Sequence, residues 1–202
     1  MERYGMDAFS AILTRRSTRK YSQRLPKKQL IDQVIEAGRY APSGSNSQTT
    51  HLLVFTDQGM LDELAKLVQG EFAEMELTDD MYVSLKASIN ASRKGTYRFH
   101  YDAPVLIVTA NRKGYGNAIA DSACVLENMM IAANALDLGS CWINQLHWLD
   151  EHEKIRAFLS QYGLKEDETI TGGLILGYPE GGLPDRRMTE RKGNPVTWAA
   201  GE

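Results

Sequence analysis

The chain has 202 residues, 43% hydrophobic and 24% charged, with a formal net charge of -3 and a pI near 5.9. That size supports one domain with a proper core, and the composition is that of a soluble globular protein. The slight acidity argues against a surface built for nucleic acid, which shows as a clear basic excess. No stretch approaches the roughly 20 apolar residues of a membrane span. Met1, Glu2, Arg3, Tyr4 and Gly5 lack the charged-then-apolar pattern of a signal peptide, so a cytoplasmic protein is expected. Cys124 and Cys141 lie in apolar contexts without CxxC spacing, as buried, reduced thiols would.

In chain order, Phe9, Ile12 and Leu13 recur at helical spacing and predict a short helix over residues 7–14. Its end delivers Arg15, Arg16, Ser17, Thr18 and Arg19. A second helix opens at Pro26, with Leu30, Ile31, Val34, Ile35 and Gly38 on a 3.6 period, and stops at Pro42. Pro42, Ser43, Gly44, Ser45, Asn46, Ser47 and Gln48 then form a loop. Residues 51–56 read as a strand, and Leu61, Leu64, Ala65 and Val68 as a helix. The segment 71–101 suggests one or two helices with a loop near 78–80, either a mobile, substrate-facing excursion or a plain surface helix pair. Residues 104–109 are the strongest strand.

Residues 119–138 form a helix apolar around most of its circumference, capped by Gly139. Such a helix must be buried on all sides, as the core's central helix or as one shared with a second subunit. A brief strand at 140–143, a helix at 151–159 and a strand at 169–176 complete the pattern. A Gly/Pro/Arg-rich tail from Gly177 ends in the extended apolar residues 195–198. Four or five strands among six or so helices, without βαβ alternation, indicate a single α+β domain over 1–202.

The basic run and the small-polar loop are the chemistry-bearing features. Fixed guanidiniums suit a phosphate, and hydroxyls, amides and exposed N–H groups suit the polar edge of a heteroaromatic ring. Each alone has a plainer explanation: a solvated charge run favoured by the helix dipole, and a generic loop. Together, separated by one amphipathic helix, they point to a phosphorylated heteroaromatic ligand. Arg186, Arg187, Arg191 and Lys192 in the tail either solubilise it or bring further cations to that phosphate. Gly114, Tyr115 and Gly116 lack the third glycine of a dinucleotide fingerprint. His51, His100, His147 and His152 have no metal-like spacing, and His147 and His152 read as surface residues. No GxSxG motif or catalytic carboxylate pair is evident. A ligand site without acid, base or nucleophile indicates chemistry carried by a cofactor.

On these motifs, with the strand at 104–109, the stretch 121–143 and the segments at 177–179 and 197–198, the chain resembles the FMN-dependent nitroreductase family over its whole length. The resemblance implies a three-layer α/β/α sandwich with a mostly antiparallel central sheet, assembled as an intertwined homodimer with FMN at each end of the interface. It implies that Arg15, Ser17 and Arg19, with Arg16 in the same run, meet the FMN phosphate and pyrimidine edge from one subunit. Pro42, Ser43, Gly44 and Asn46, with Ser45 and Gln48 beside them, meet the flavin from the other. Ile143, Asn144 and Gln145 would offer backbone N–H groups near flavin N5 and O4. Arg187 and Arg191 are candidates for a second phosphate clamp, a role Arg186 or Lys192 could also hold.

The implied activity is hydride transfer from NADH or NADPH to flavin N5 and on to an oxidised acceptor such as a nitroaromatic or quinone, with Arg19 stabilising the anionic reduced ring. Other readings are a flavoprotein of this fold engaged in flavin breakdown or reductive dehalogenation, and an FMN-binding module without turnover. Nucleic-acid binding through residues 15–20 is the weakest. The chain departs from the family at Gln48, Thr49, Thr50 and His51, where Gln-Pro-Trp is common, and over 71–101.

Overall fold

The computed structural model describes residues 6–199; residues 1–5, on which the signal-peptide reading rests, lie outside it. The elements run α1 (Ala8–Thr14), α2 (Lys28–Arg39), β1 (His51–Phe55), α3 (Gln58–Glu74), α4 (Val83–Arg93), β2 (Val105–Arg112), α5 (Ala118–Ala135), β3 (Gly139–Ile143), α6 (Gln145–Trp148), α7 (Glu153–Ser160) and β4 (Glu168–Gly177). A single 3-10 turn, Gly44–Asn46, interrupts the loop between α2 and β1.

The strands form one sheet in the order β1-β2-β4-β3, with every pair antiparallel. The central pair is apolar on both faces and must be covered on both. Leu106, Val108 and Ala110 of β2 pack with Leu61, Leu64, Val68 and Phe72 of α3 and Ile155, Phe158 and Leu159 of α7. On the opposite face, Val105, Ile107, Leu174 and Leu176 pack with Val125, Leu126, Met129 and Met130 of α5 and Ile31 and Val34 of α2. Each fully buried side chain of this size contributes about 1.5–3 kcal/mol. Two cores on the two faces of one sheet make the expected three-layer α/β/α arrangement.

Several local expectations are corrected. Gly139 does not cap α5. The helix ends in a Schellman turn, with Leu138 N–H on the Ala133 carbonyl at 2.8 Å and Asp137 N–H on the Asn134 carbonyl at 3.4 Å. Asp137, at φ 61°, takes the left-handed position usually left to glycine. Nor is α5 buried all round in one chain: Ile119 is 59% exposed and Cys124 is exposed, so only Cys141 is a buried thiol. The second helix begins at Lys28 rather than Pro26, and a short α6 precedes α7. His147 and His152 are not free surface residues. His147 Nδ1 lies 2.6 Å from the Ile170 carbonyl, and His152 Nδ1 lies 2.7 Å from Glu71 Oε2.

His100 is fully buried beside Phe99, and neither ring nitrogen has a hydrogen-bond partner. Burial, aided by nearby Arg98, pushes its pKa down to about 4. A folded-state pKa below the unfolded value of about 6.5 gives stability that is full above 6.5 and lost as pH falls towards 4. The His100→Leu variant is therefore expected to lose about 2–3 kcal/mol less than the parent between pH 7 and pH 4. Denaturant midpoints across that range check this, and parallel curves for the two proteins would refute it.

Candidate functional site

The basic run is organised by the edge of β3. After α1, Thr18 N–H donates to the Ser140 carbonyl at 2.9 Å, and Ser17 bridges Ser140 in the parallel sense. The chain continues along the segment after β4, with Ser22 N–H on the Tyr178 carbonyl at 2.9 Å and Tyr21 bridging Pro179. An extended segment sends alternate side chains to opposite sides. Arg15, Ser17 and Arg19 consequently gather around Cys141, whose thiol is pushed up by burial and opposed by all three. Thr18 turns the other way, onto Gly139, where an added Cβ would stand 2.7 Å from Thr18 Oγ1. Arg16 also turns away: its guanidinium donates to the carbonyls of Leu13, Arg15 and Arg187.

A cavity of about 180 Å³ opens beside this row, lined by Arg19, Cys141, Trp142, Ile143, Asn144 and Gln145. Asn144 Oδ1 accepts from Trp142 Nε1 at 2.7 Å, which fixes the turn between β3 and α6. The remaining wall comprises Tyr82 and Ser84 at the start of α4, Tyr101 and Trp148. Tyr82 meets Trp148 edge-on, with ring centroids 6.3 Å apart. The wall contains no carboxylate. Among the described residues, Arg19 has no ion pair, and Arg15 has a loose one to Glu127 at 3.8 Å.

The small-polar loop is held in an unusual backbone. Ser45, Asn46 and Gln48 take φ values of 52°, 54° and 50°, each a left-handed conformation that costs a non-glycine residue about 1–3 kcal/mol. Ser43 Oγ accepts from Gln48 N–H at 3.0 Å, and Gln48 Nε2 donates to Asn46 Oδ1 at 2.9 Å. Pro42, Ser43 and Gln48 line a second cavity of about 150 Å³ with Arg39, Ala41, Thr50 and Val125. No residue is shared between this cavity and the first. The two cavities are separate within one chain.

In the tail, Arg187 pairs with Asp185 at 2.8 Å, Arg186 reaches Asp137 at 2.5 Å, and Arg191 and Lys192 are exposed. None lines either cavity. The aromatic wall of Tyr82, Tyr101 and Trp148 was not foreseen as site residues. Tyr82 and Tyr101 belong to the 71–101 segment, for which a substrate-facing excursion is one of two expectations; Trp148 lies outside it and has no such signal.

An arginine row at a strand edge has the chemistry to meet a phosphate, and a small-polar loop that to meet the polar edge of a ring. The chain belongs to the Nitroreductase family, whose model matches residues 12–178. It is similar to a nitroreductase with bound FMN from Bacteroides fragilis, at 31% identity and TM-score 0.84, covering 96% of this chain and 100% of that one. It is 24% identical to the nitrobenzene nitroreductase of Ectopseudomonas oleovorans over 90% of each chain. It is 27% identical to a 4-nitrobenzoate reductase of Nocardioides sp., over 89% of this chain and 83% of that one.

Thr18 seated on Gly139 holds the arginine row in register. A methyl at Gly139 would contact the Thr18 side chain at 2.7–2.8 Å. Gly139→Ala is expected to cost about 1–3 kcal/mol of stability, the usual penalty of overpacking, read as a lowered denaturant midpoint.

Proposed function

We propose that the protein is an FMN-dependent oxidoreductase that uses NADH or NADPH to reduce a small oxidised acceptor, in a site completed by a second copy of the chain. The supporting observation is the placement of Arg15, Ser17 and Arg19 on one side of an extended segment beside the turn between β3 and α6. The donor set fits FMN: arginines and a hydroxyl for the phosphate, and an unpaired guanidinium with backbone N–H groups for the ring's polar edge. Bound there, FMN would supply the hydride-transfer chemistry between a nicotinamide and a nitroaromatic or quinone acceptor.

The chain's own residues would bind and orient. Arg15 and Ser17 would hold the phosphate, and Ile143, Asn144 and Gln145 would face N5 and O4. Arg19 would supply positive charge near N1. Tyr82, Tyr101 and Trp148 offer a flat acceptor aromatic surface against which to stack. Arg187 or Arg191, from the tail, would add to the phosphate clamp.

The separation of the two cavities within one chain supports the second copy. It would bring Pro42, Ser43, Gly44, Ser45, Asn46 and Gln48 to the flavin held by its partner's arginine row. A cavity of about 710 Å³ between α2 and α5, lined in part by Ala37, Tyr40, Ala132, Ala135 and Leu136, is available for such packing. Exposed Phe9, Ile12, Leu13 and Ile119 add apolar surface nearby in the chain, on α1 and α5.

The test is the visible spectrum of the purified protein before and after anaerobic addition of NADH or NADPH. Flavin bands that bleach support the reading, and the faster donor names the cosubstrate. A protein that cannot be reconstituted with FMN overturns it; FMN bound but never reduced would mark a binding module. A monomer carrying FMN, by light scattering, would undo the shared site alone.

Arg19→Ala should lower the midpoint potential of the bound flavin. Loss of roughly 1.4 kcal/mol of preference for the reduced ring corresponds to about 30 mV for a two-electron couple. An unchanged potential rules out that role for Arg19.

A further inference from the structure

Asp121 lies in the first turn of α5 and is only 5% exposed. Among the described residues it has no cationic partner within 4 Å. A buried carboxylate of this kind must be satisfied by neutral donors. Both of its oxygens point to the small-polar loop. Oδ1 accepts from Gly44 N–H at 3.0 Å, and Oδ2 lies 3.0 Å from the Tyr115 hydroxyl. Ser47 Oγ is 3.1 Å from that hydroxyl and 3.5 Å from Oδ2.

The donors can be assigned. Tyr115 has one hydroxyl hydrogen, and a carboxylate is its strongest acceptor. Tyr115 therefore donates to Asp121, and Ser47 donates to the Tyr115 oxygen. The Gly44 carbonyl, 3.3 Å from Tyr115, is left as a fallback acceptor. The loop also seats flush on the start of α5: a Cβ at Gly44 would stand 2.2 Å from Asn117 Nδ2 and 2.6 Å from the Tyr115 hydroxyl. The Gly114–Tyr115–Gly116 stretch, which lacks a dinucleotide fingerprint, thus has a different use.

We propose that Asp121 and Tyr115 are positioning residues for the flavin: they clamp Gly44 and Ser47, and so hold Ser45, Asn46 and Gln48 in the left-handed conformations that present the loop to FMN. The inference rests on the assignment of this loop to FMN. The clamp acts from below, through one backbone N–H and one hydroxyl. The exposed side chains of Ser45 and Asn46 stay clear of it.

Three variants test the clamp. Asp121→Ala removes both acceptors and should weaken FMN binding about tenfold or more, the effect of losing hydrogen bonds to a charged group. Asp121→Asn should stay within about threefold of the parent. Its carbonyl can accept from Gly44 N–H and its amide can donate to the Tyr115 oxygen, while the tyrosine proton turns to the Gly44 carbonyl. Tyr115→Phe should weaken binding about threefold to tenfold. Affinities are read by flavin fluorescence well below each variant's Tm.

Lowered Tm with unchanged FMN affinity in Asp121→Ala and Tyr115→Phe would make the network merely structural and overturn the proposal. Failure of Asp121→Asn to rescue would do the same. If Asp121→Ala does not fold, Tyr115→Phe and Asp121→Asn still decide. A parent that binds no FMN defeats the flavin reading itself. Amide exchange at Gly44 then decides the clamp: protection in the parent and Asp121→Asn, lost in Tyr115→Phe, sustains it, and rapid exchange in the parent refutes it.

Discussion

The hydrogen bond from Thr18 N–H to the Ser140 carbonyl, at 2.9 Å, is the contact on which the site depends. It adds the segment after α1 to the free edge of β3. Without it, Arg15 to Arg19 would be a solvated charge run at a helix end, free to rotate. With it, the period-2 alternation of extended backbone places three of the five residues on one side and two on the other. The segment is secured at its far end by Ser22 and Tyr21 against residues 178 and 179. At its near end, the buried Asn134 amide donates to the Ala11 carbonyl at 2.9 Å and to Thr14 Oγ1 at 3.0 Å, binding α1 to α5.

The same helix accounts for the division of the site. Asn134 anchors the arginine-bearing segment near the C-terminal end of α5, and Asp121 holds the small-polar loop near its N-terminal end. From position 121 to 134 is 13 residues, so at 1.5 Å per residue the anchors stand about 20 Å apart along a rigid rod. No rotamer change closes that gap. The two sets of side chains are thus held apart within one chain. α5 is incompletely buried in the single chain, with Ile119 and Cys124 exposed.

The elements whose formation is local were legible in the sequence. The run of β-formers in β2 and the 3.6 periodicity of α2 and α3 identified them, and the breaker at Pro42 marked the loop. The terminations were less legible, because tertiary contacts chose among near-equal options. Asp137 rather than Gly139 takes the left-handed position, since Gly139 is needed bare beneath Thr18. The apolar residues of α5 dominate its pattern, and no local signal marks Asp121 and Asn134, whose buried polar groups tie the small-polar loop and α1 to the helix. The pairing of Tyr115 with Ser47 spans 68 positions, and that of Tyr82 with Trp148 spans 66; no local pattern announces either.

The distribution of charge leaves the cavity beside β3 without a side chain placed for acid–base catalysis. The buried carboxylates are already committed. Asp150 accepts from Arg156, Thr169 and the Ile170 N–H, and the half-buried Glu71 lies against His152 and forms an ion pair with Lys154. Burial pushes the Glu168 carboxyl up, but hydrogen bonds from His51 and the Lys165 N–H hold it below the usual range. These groups brace helix and strand ends, and none lines the cavity beside β3. That cavity is left with one free guanidinium, neutral donors and aromatic faces. In a partly desolvated setting, an unopposed cation favours whichever ligand state carries more negative charge. Arg19, which has no ion pair among the described residues, is carried on a segment that the Thr18 to Ser140 bond holds at the edge of β3.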